Sequence, residues 1–122
     1  MTLVDTSSWV HALRRAGNAS VRKRVAALME SGEAAWCAMV RLELWNGVGS
    51  ENDRRALRAL EEVLPDLAID DAVWRQAHEL ADRGRKTGRT APVQDLLIAA
   101  CARRHGVPLE HDDRHYDWLM SP

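Results

Sequence analysis

A three-layer α/β/α domain with a short, mainly parallel central sheet of four strands is the fold class that this sequence predicts. Three observations predict it. Brief apolar segments alternate with helical patterns, and strands separated by helices pair in parallel, with helices covering both faces of the sheet. Chain breakers close the helical stretches at Gly17, Gly32, Pro65 and Gly106. The 122 residues hold no low-complexity tract, long linker or internal repeat, so residues 1–122 read as a single domain.

Met1–Val4 is a short apolar strand ending at Asp5, and Thr6, Ser7 and Ser8 offer caps for a helix starting near Trp9. Gly17 and Asn18 break that helix. A second helix spans Ala19–Glu30, with Val21, Val25, Leu28 and Met29 on one face. Ala34–Ala38 reads as a buried strand and Val40–Val48 as a helix. Arg54–Leu64 is amphipathic, with Leu57, Leu60, Val63 and Leu64 turned inward. Leu67–Ile69 is the third strand. Asp70 and Asp71 open a helix to about Arg83, where acids suit the positive helix end. Arg83–Arg89 reads as a polar loop. Pro92 fits the first turn of a helix carrying Leu96, Leu97, Ala99 and Ala100. Val107–Leu109 is the fourth strand, and Asp112–Met120 a last short helix.

Composition narrows the function classes. The chain is 46% hydrophobic and 29% charged, which excludes a disordered chain, and its net charge of -1 excludes a polybasic coat. A local nucleic-acid site remains compatible with that balance. Cys37 and Cys101 are too few for a disulfide framework, no secretory pattern opens the sequence, and no apolar run reaches the ~18–20 residues of a membrane span. The expectation is a reduced, cytoplasmic protein with no membrane partner.

On parallel sheets, ligands bind beyond the carboxyl ends of the strands. Four acids fall there. Asp5 follows strand one, and Glu43 lies one turn into the helix after strand two. Asp95 is in the first turn of the helix that Pro92 opens, and Asp113 sits just past strand four. Each also has a structural reading: a cap for Asp5, a solvated charge for Glu43, a first-turn charge for Asp95, a turn for Asp113. Two features favour convergence. Glu43 is flanked by Leu42, Leu44 and Trp45, and Asp95 directly precedes the apolar run Leu96–Ala100. Two carboxylates ~4 Å apart repel by about 4 kcal/mol at an effective dielectric near 20, so such a group requires protons or cations. Hard oxygen ligands suit Mg²⁺ or Mn²⁺, and that chemistry fits phosphodiester hydrolysis.

Val4-Asp5-Thr6-Ser7, Arg41-Leu42-Glu43-Leu44, Pro92-Val93-Gln94-Asp95-Leu96-Leu97-Ile98-Ala99-Ala100 and His111-Asp112-Asp113-Arg114-His115-Tyr116 resemble the successive motifs of the PIN-domain family. Order and spacing are similar to the small VapC-type ribonuclease toxins of toxin–antitoxin pairs. The resemblance implies a PIN-like sheet, but the family's usual final strand has no counterpart in Leu119-Met120-Ser121-Pro122, so four strands are expected, or a very short fifth. It implies an Mg²⁺-dependent endoribonuclease, Mn²⁺ being an alternative ion, that leaves a 5′-phosphate and a 3′-hydroxyl. By match to the motifs, Asp5, Glu43, Asp95 and Asp113 are the catalytic and metal-binding acids, with Thr6 or Ser7 helping at the metal or phosphate. A homodimer and a VapB-type antitoxin, reaching toward the acids with an extended segment, are the implied partners. In two places the chain departs from the pattern. His111 stands where the family often has Thr or Ser, and Asp112 directly precedes Asp113, leaving two candidates for the fourth acid.

Other constellations carry less. Arg85, Lys86 and Arg89, in the loop before Asp95, are candidate RNA-phosphate contacts, the alternative being a solvated loop. Cys101 and His105 lie four apart, with His111 and His115 following, but that spacing matches no common zinc finger. His11 and His78 read as surface residues, and Trp45 and Trp118 as candidates for a partner surface. Two further functions fit a chain of this length: a receiver-type phospho-acceptor domain using Asp70-Asp71, and a PIN-like binding module without activity. No Lys follows Lys86 to serve a receiver site.

Overall fold

Only three short strands form the sheet. The computed structural model describes residues 1–122. Strand β1 (Thr2–Val4) is central, with β2 (Ala34–Ala35) on one side and β3 (Leu109–Glu110) on the other, both parallel to it. The register pairs Leu3 with Ala35 and with Leu109, and Val4 with Glu110. Seven helices surround this sheet: α1 (Thr6–Ala12), α2 (Ala19–Glu30), α3 (Ala38–Asn46), α4 (Glu51–Val63), α5 (Asp71–Thr87), α6 (Val93–His105) and α7 (His115–Leu119).

The expected third strand, Leu67–Ile69, is not a strand. Chain beside β2 makes one isolated parallel bridge, Trp36 to Asp66, with Trp36 N–H donating to Pro65 O and Leu67 N–H to Trp36 O. Pairing ends there because Cys37 already caps α3, so β2 has no length left to continue the ladder. The carbonyls of Leu67 and Ala68 turn to α6 instead, accepting from the Cys101 thiol and facing His105 Nε2. The sheet therefore has three strands rather than four or five. The last strand also lies later than Val107–Leu109, because Pro108 has no N–H and contributes its carbonyl, which accepts from Leu3 N–H.

Three helix boundaries move for local reasons. Helix α1 starts at Thr6 rather than near Trp9, because Asp5 itself is the cap. Ser50 caps α4 through Asp53 N–H, so that helix begins at Glu51. The expected loop Arg83–Arg89 is largely helix: α5 runs to Thr87 and closes on Gly88, whose φ of 71° is the left-handed conformation glycine favours.

Helix α5 packs on α6 and α1 on α2. The core is centred on α6, where Leu97 to Ala102 are buried without a break, as expected for a helix covered on all sides. Trp9 and Trp36 meet edge to face, with ring centroids 6.4 Å apart. No helix is long and apolar enough to cross a membrane.

Candidate active site

The site is assembled where β1 and β3 end side by side. Asp5 is 4% exposed and caps α1: Ser7 N–H and Oγ–H donate to its Oδ2 at 2.9 and 2.6 Å. An aspartate suits a helix start because it satisfies free N–H groups and answers the positive end of the helix dipole. The structural and chemical readings of Asp5 are thus compatible, since capping engages Oδ2 and leaves Oδ1 facing the site. Thr6 Oγ1 donates to Glu43 Oε1 at 2.9 Å, which ties α1 to α3.

Asp95, one turn into α6, meets the last motif. Its Oδ2 lies 3.0 Å from His115 Nδ1, and its Oδ1 accepts from the Tyr116 hydroxyl at 3.3 Å. That hydroxyl lies 2.8 Å from Asp5 Oδ1, so one phenol stands between two of the expected acids. Asp113 Oδ1 lies 3.1 Å from His115 Nδ1 and accepts from His115 N–H at 3.0 Å. Ligand atoms of Asp95, Asp113 and His115 all fall within 4.8 Å of one another.

Asp112 points elsewhere. Asn18 N–H donates to His11 Nδ1, so the ring proton is on Nε2, which donates to Asp112 Oδ2 at 3.0 Å. Asp112 N–H donates to Ser7 Oγ at 2.9 Å. Asp112 therefore anchors the 111–114 turn to α1, while Asp113 faces Asp95. His11, expected to be an unpartnered surface residue, is part of this anchor.

Crowding of like charge shows in the acid strengths. Burial raises the Glu43 pKa above its usual value, and the charges of Asp5 and Asp95 add to that rise against the Thr6 hydrogen bond. Burial also raises Asp95, with Asp113 and Asp5 adding, while His115 and Tyr116 oppose. Burial, then the charges of Asp5 and Asp95, drive the Tyr116 phenol far above its ordinary range. Tyr116 is therefore a fixed hydrogen-bond donor.

Sequence reading did not assign His115 and Tyr116 to the site. Their one signal was position, immediately after Asp113 within the fourth motif. Tyr116 is the only tyrosine of the chain and is wholly buried. Two arginines hold the helix that carries it: Arg83 donates to Trp118 O, and Arg103 to Leu119 O and Ser121 O. Tyr116→Phe removes a donor to charged groups and is expected to lower unfolding stability by about 1.5–3 kcal/mol. Urea denaturation checks this; an unchanged midpoint would mean the hydroxyl bond is not made in solution.

The other candidates separate. Arg85 and Lys86 pair with Asp82 on the exposed face of α5, at 2.5 and 2.9 Å. Arg89 lies beyond the helix, in an open depression shared with Asp117 and Trp118 of α7 and with Ser121 after it. The Cys101–His105–His111–His115 constellation does not assemble: Cys101 is buried in the core, His105 is at Ala68 O, and His111 stacks on Tyr116. Trp45 donates its ring N–H to Glu61, and Trp118 lies under Arg83. Asp70 caps α5 rather than ending a strand, so the receiver-type reading loses its acceptor.

A family profile for the PIN domain matches residues 2–117. Ribonuclease VapC11 of Mycobacterium tuberculosis is 36% identical over 120 residues, covering 96% of this chain and 90% of that protein. Among solved structures, FitAcB from Neisseria gonorrhoeae superposes with a TM-score of 0.79 at 19% identity, over 98% of this chain and 93% of that one. VapBC2 from Rickettsia felis, bound to a DNA fragment from their promoter, gives a TM-score of 0.74 at 20% identity, over 88% and 84%. The chain belongs to the PIN-domain family, among the VapC ribonucleases. At 19% and 20% identity, the two structural likenesses speak for the fold alone.

Proposed function

We propose that this protein is a divalent-metal-dependent endoribonuclease, the toxin of a toxin–antitoxin pair, with Asp5, Glu43, Asp95 and Asp113 as its catalytic acids. The observation that carries the reading is the single Tyr116 hydroxyl between Asp5 and Asp95, with His115 between Asp95 and Asp113. Residues up to 111 positions apart in the chain are thereby gathered into one acidic centre. Carboxylate oxygens at this density fit a hard divalent ion such as Mg²⁺ or Mn²⁺. A bound ion supplies Lewis acidity at the scissile phosphate and lowers the pKa of the attacking water.

The chain's own residues prepare that centre. Asp5, Asp95 and Asp113 are the carboxylates that would hold the ion. Ser7 fixes Asp5 Oδ2, and Thr6 fixes Glu43, whose raised pKa suits proton exchange with water or the leaving oxygen. Asp112 positions the turn bearing Asp113.

Two connected hollows support the antitoxin partnership. An apolar groove between α1, α2 and α4 is lined by Trp9, Leu13, Val25, Met29 and Leu60, with Arg22 and Lys23 beside them. Leu13 also belongs to a cleft that runs through Val10 to Thr6 and Glu43. An extended apolar segment of a VapB-type partner lying there reaches the acids. Exposed Leu42, Trp74 and Val93 give apolar surface for a homodimer. The protein acts in the cytoplasm, where its RNA substrate is found.

Incubating partner-free protein with structured RNA and Mg²⁺ tests the reading. Cleavage is expected; EDTA is expected to abolish it, and Asp5→Asn and Asp95→Asn are each expected to lower it about 10³-fold. Equal cleavage by wild type and both variants would identify a contaminant. No cleavage of any RNA would favour a binding module. For the basic residues, Arg89→Ala is expected to reduce the salt slope of RNA binding by about 0.7, one single-strand phosphate contact. Arg85→Ala is expected to change it less, because Asp82 competes for that guanidinium. Fluorescence titrations across salt concentrations measure both, and equal slopes in all three proteins would remove this face from the RNA path.

A further inference from the structure

We propose that His115 is a nitrogen ligand of the catalytic ion and that it shifts the ion preference of this site from Mg²⁺ toward Mn²⁺. The inference rests on the metal-dependent reading above and concerns which ion the site takes. His115 Nδ1 is 3.0 Å from Asp95 Oδ2 and 3.1 Å from Asp113 Oδ1. Neighbouring ligands of an octahedral ion, each about 2.1 Å from it, stand about 3.0 Å apart. The imidazole nitrogen thus already stands at that spacing from each carboxylate oxygen, and all three atoms lie within 4.8 Å of one another.

The surroundings hold this arrangement. Asp95 is flanked on both oxygens, Oδ1 lying 3.3 Å from the Tyr116 hydroxyl and Oδ2 turned toward the imidazole. Asp113 is fixed by the His115 backbone N–H, so ring and carboxylate belong to one turn. The His115 side chain is 44% exposed and opens on a wholly polar depression with Asp113, Arg114 and Asp117, which leaves a route for the ion and its waters. Without an ion these contacts call for a proton on Nδ1; ion binding would displace it, leaving the ring proton on Nε2 and the Nδ1 lone pair free to ligate.

Imidazole is the discriminating donor. Mg²⁺ is satisfied by oxygen ligands and holds its waters tightly. First-row transition ions accept imidazole readily, with Mn²⁺ the weakest binder of that series. A purely carboxylate site gives no such bias. One nitrogen among oxygens keeps the site open to Mg²⁺ while favouring Mn²⁺.

Calorimetric titration of wild type and His115→Ala with MnCl₂ and with MgCl₂ tests this, alongside Asp95→Asn. The expected result is a Mn²⁺ affinity about 10–100-fold weaker in His115→Ala, with Mg²⁺ changed less than about threefold. Pulsed electron paramagnetic resonance of the Mn²⁺-loaded wild type is expected to show nitrogen coupling that His115→Ala lacks. Circular dichroism of the variant confirms the fold. Equal weakening for both ions, or no nitrogen coupling in the wild type, overturns the proposal and leaves His115 a hydrogen-bond partner of the acids. Wild type that binds neither ion overturns the metal-dependent reading itself, and this inference with it.

Discussion

Asp95→Asn is expected to lower RNA cleavage about 10³-fold while raising the thermal midpoint of the metal-free protein. The loss follows from removing one ligand charge: about 4 kcal/mol of transition-state stabilisation corresponds to 10³ in rate. The gain in stability follows from crowding. Burial and the charges of Asp113 and Asp5 raise the Asp95 pKa, so the folded state holds its proton more tightly than the unfolded chain does. Stability from such a group is fully present below its ordinary value of 3.8 and is lost as pH rises through the raised one. Glu43 behaves alike, from its ordinary value of 4.5 upward. The midpoint difference between Asp95→Asn and wild type should therefore widen from about pH 4 toward neutrality. Added Mg²⁺ or Mn²⁺ should narrow it by stabilising the wild type more. Melting curves across pH, with and without ion, measure this; a difference independent of pH would show that the carboxylates are not crowded.

Gly84→Ala is expected to destabilise the protein by about 2 kcal/mol, against the sign that helix propensity predicts. Alanine in a helix interior ordinarily gains about 1 kcal/mol over glycine. Here an added Cβ would lie 2.6 Å from Arg89 O and 2.9 Å from Trp118 Cη2. Arg89 N–H donates to Gly84 O at 2.8 Å, so the backbone after α5 has little room to retreat. Overpacking of this kind costs about 1–3 kcal/mol, and sometimes more. The strain falls on Trp118, two residues beyond Tyr116, so RNA cleavage should fall as well. Thermal or urea unfolding decides the sign, and a higher midpoint would mean that α7 moves aside freely.

Most helices were legible because their signals are local. The Val21 and Val25 face of α2, the Leu57 and Leu60 face of α4 and the unbroken apolar run of α6 each declare a buried side. The strands were harder to read. Two-residue strands carry no periodicity, so Leu67–Ile69 looked as much like a strand as Leu109–Glu110 does. What separates them is a partner: β1 has free hydrogen-bonding edges on both sides, while β2 ends in a helix cap before another strand can pair along it. The polar composition of Arg83–Arg89 suggested a loop, but most of that stretch is the last turn of α5, with Arg85 and Lys86 facing solvent and paired to Asp82.

The sequence by itself determined an α/β chain with Asp5, Glu43, Asp95 and Asp113 as candidates, because strand-tip acids beside apolar runs are a linear pattern, and its ordered motifs carried the resemblance to the PIN-domain family. Tertiary structure alone decided which atoms meet. Asp112 and Asp113 are adjacent and chemically identical, yet one faces His11 and the other Asp95. Tyr116 is an ordinary buried aromatic in the sequence; its hydroxyl acquires a role only because packing places it between Asp5 and Asp95. The reason is that hydrogen bonds form over about 3 Å, whereas a sequence orders residues along the chain and not in space.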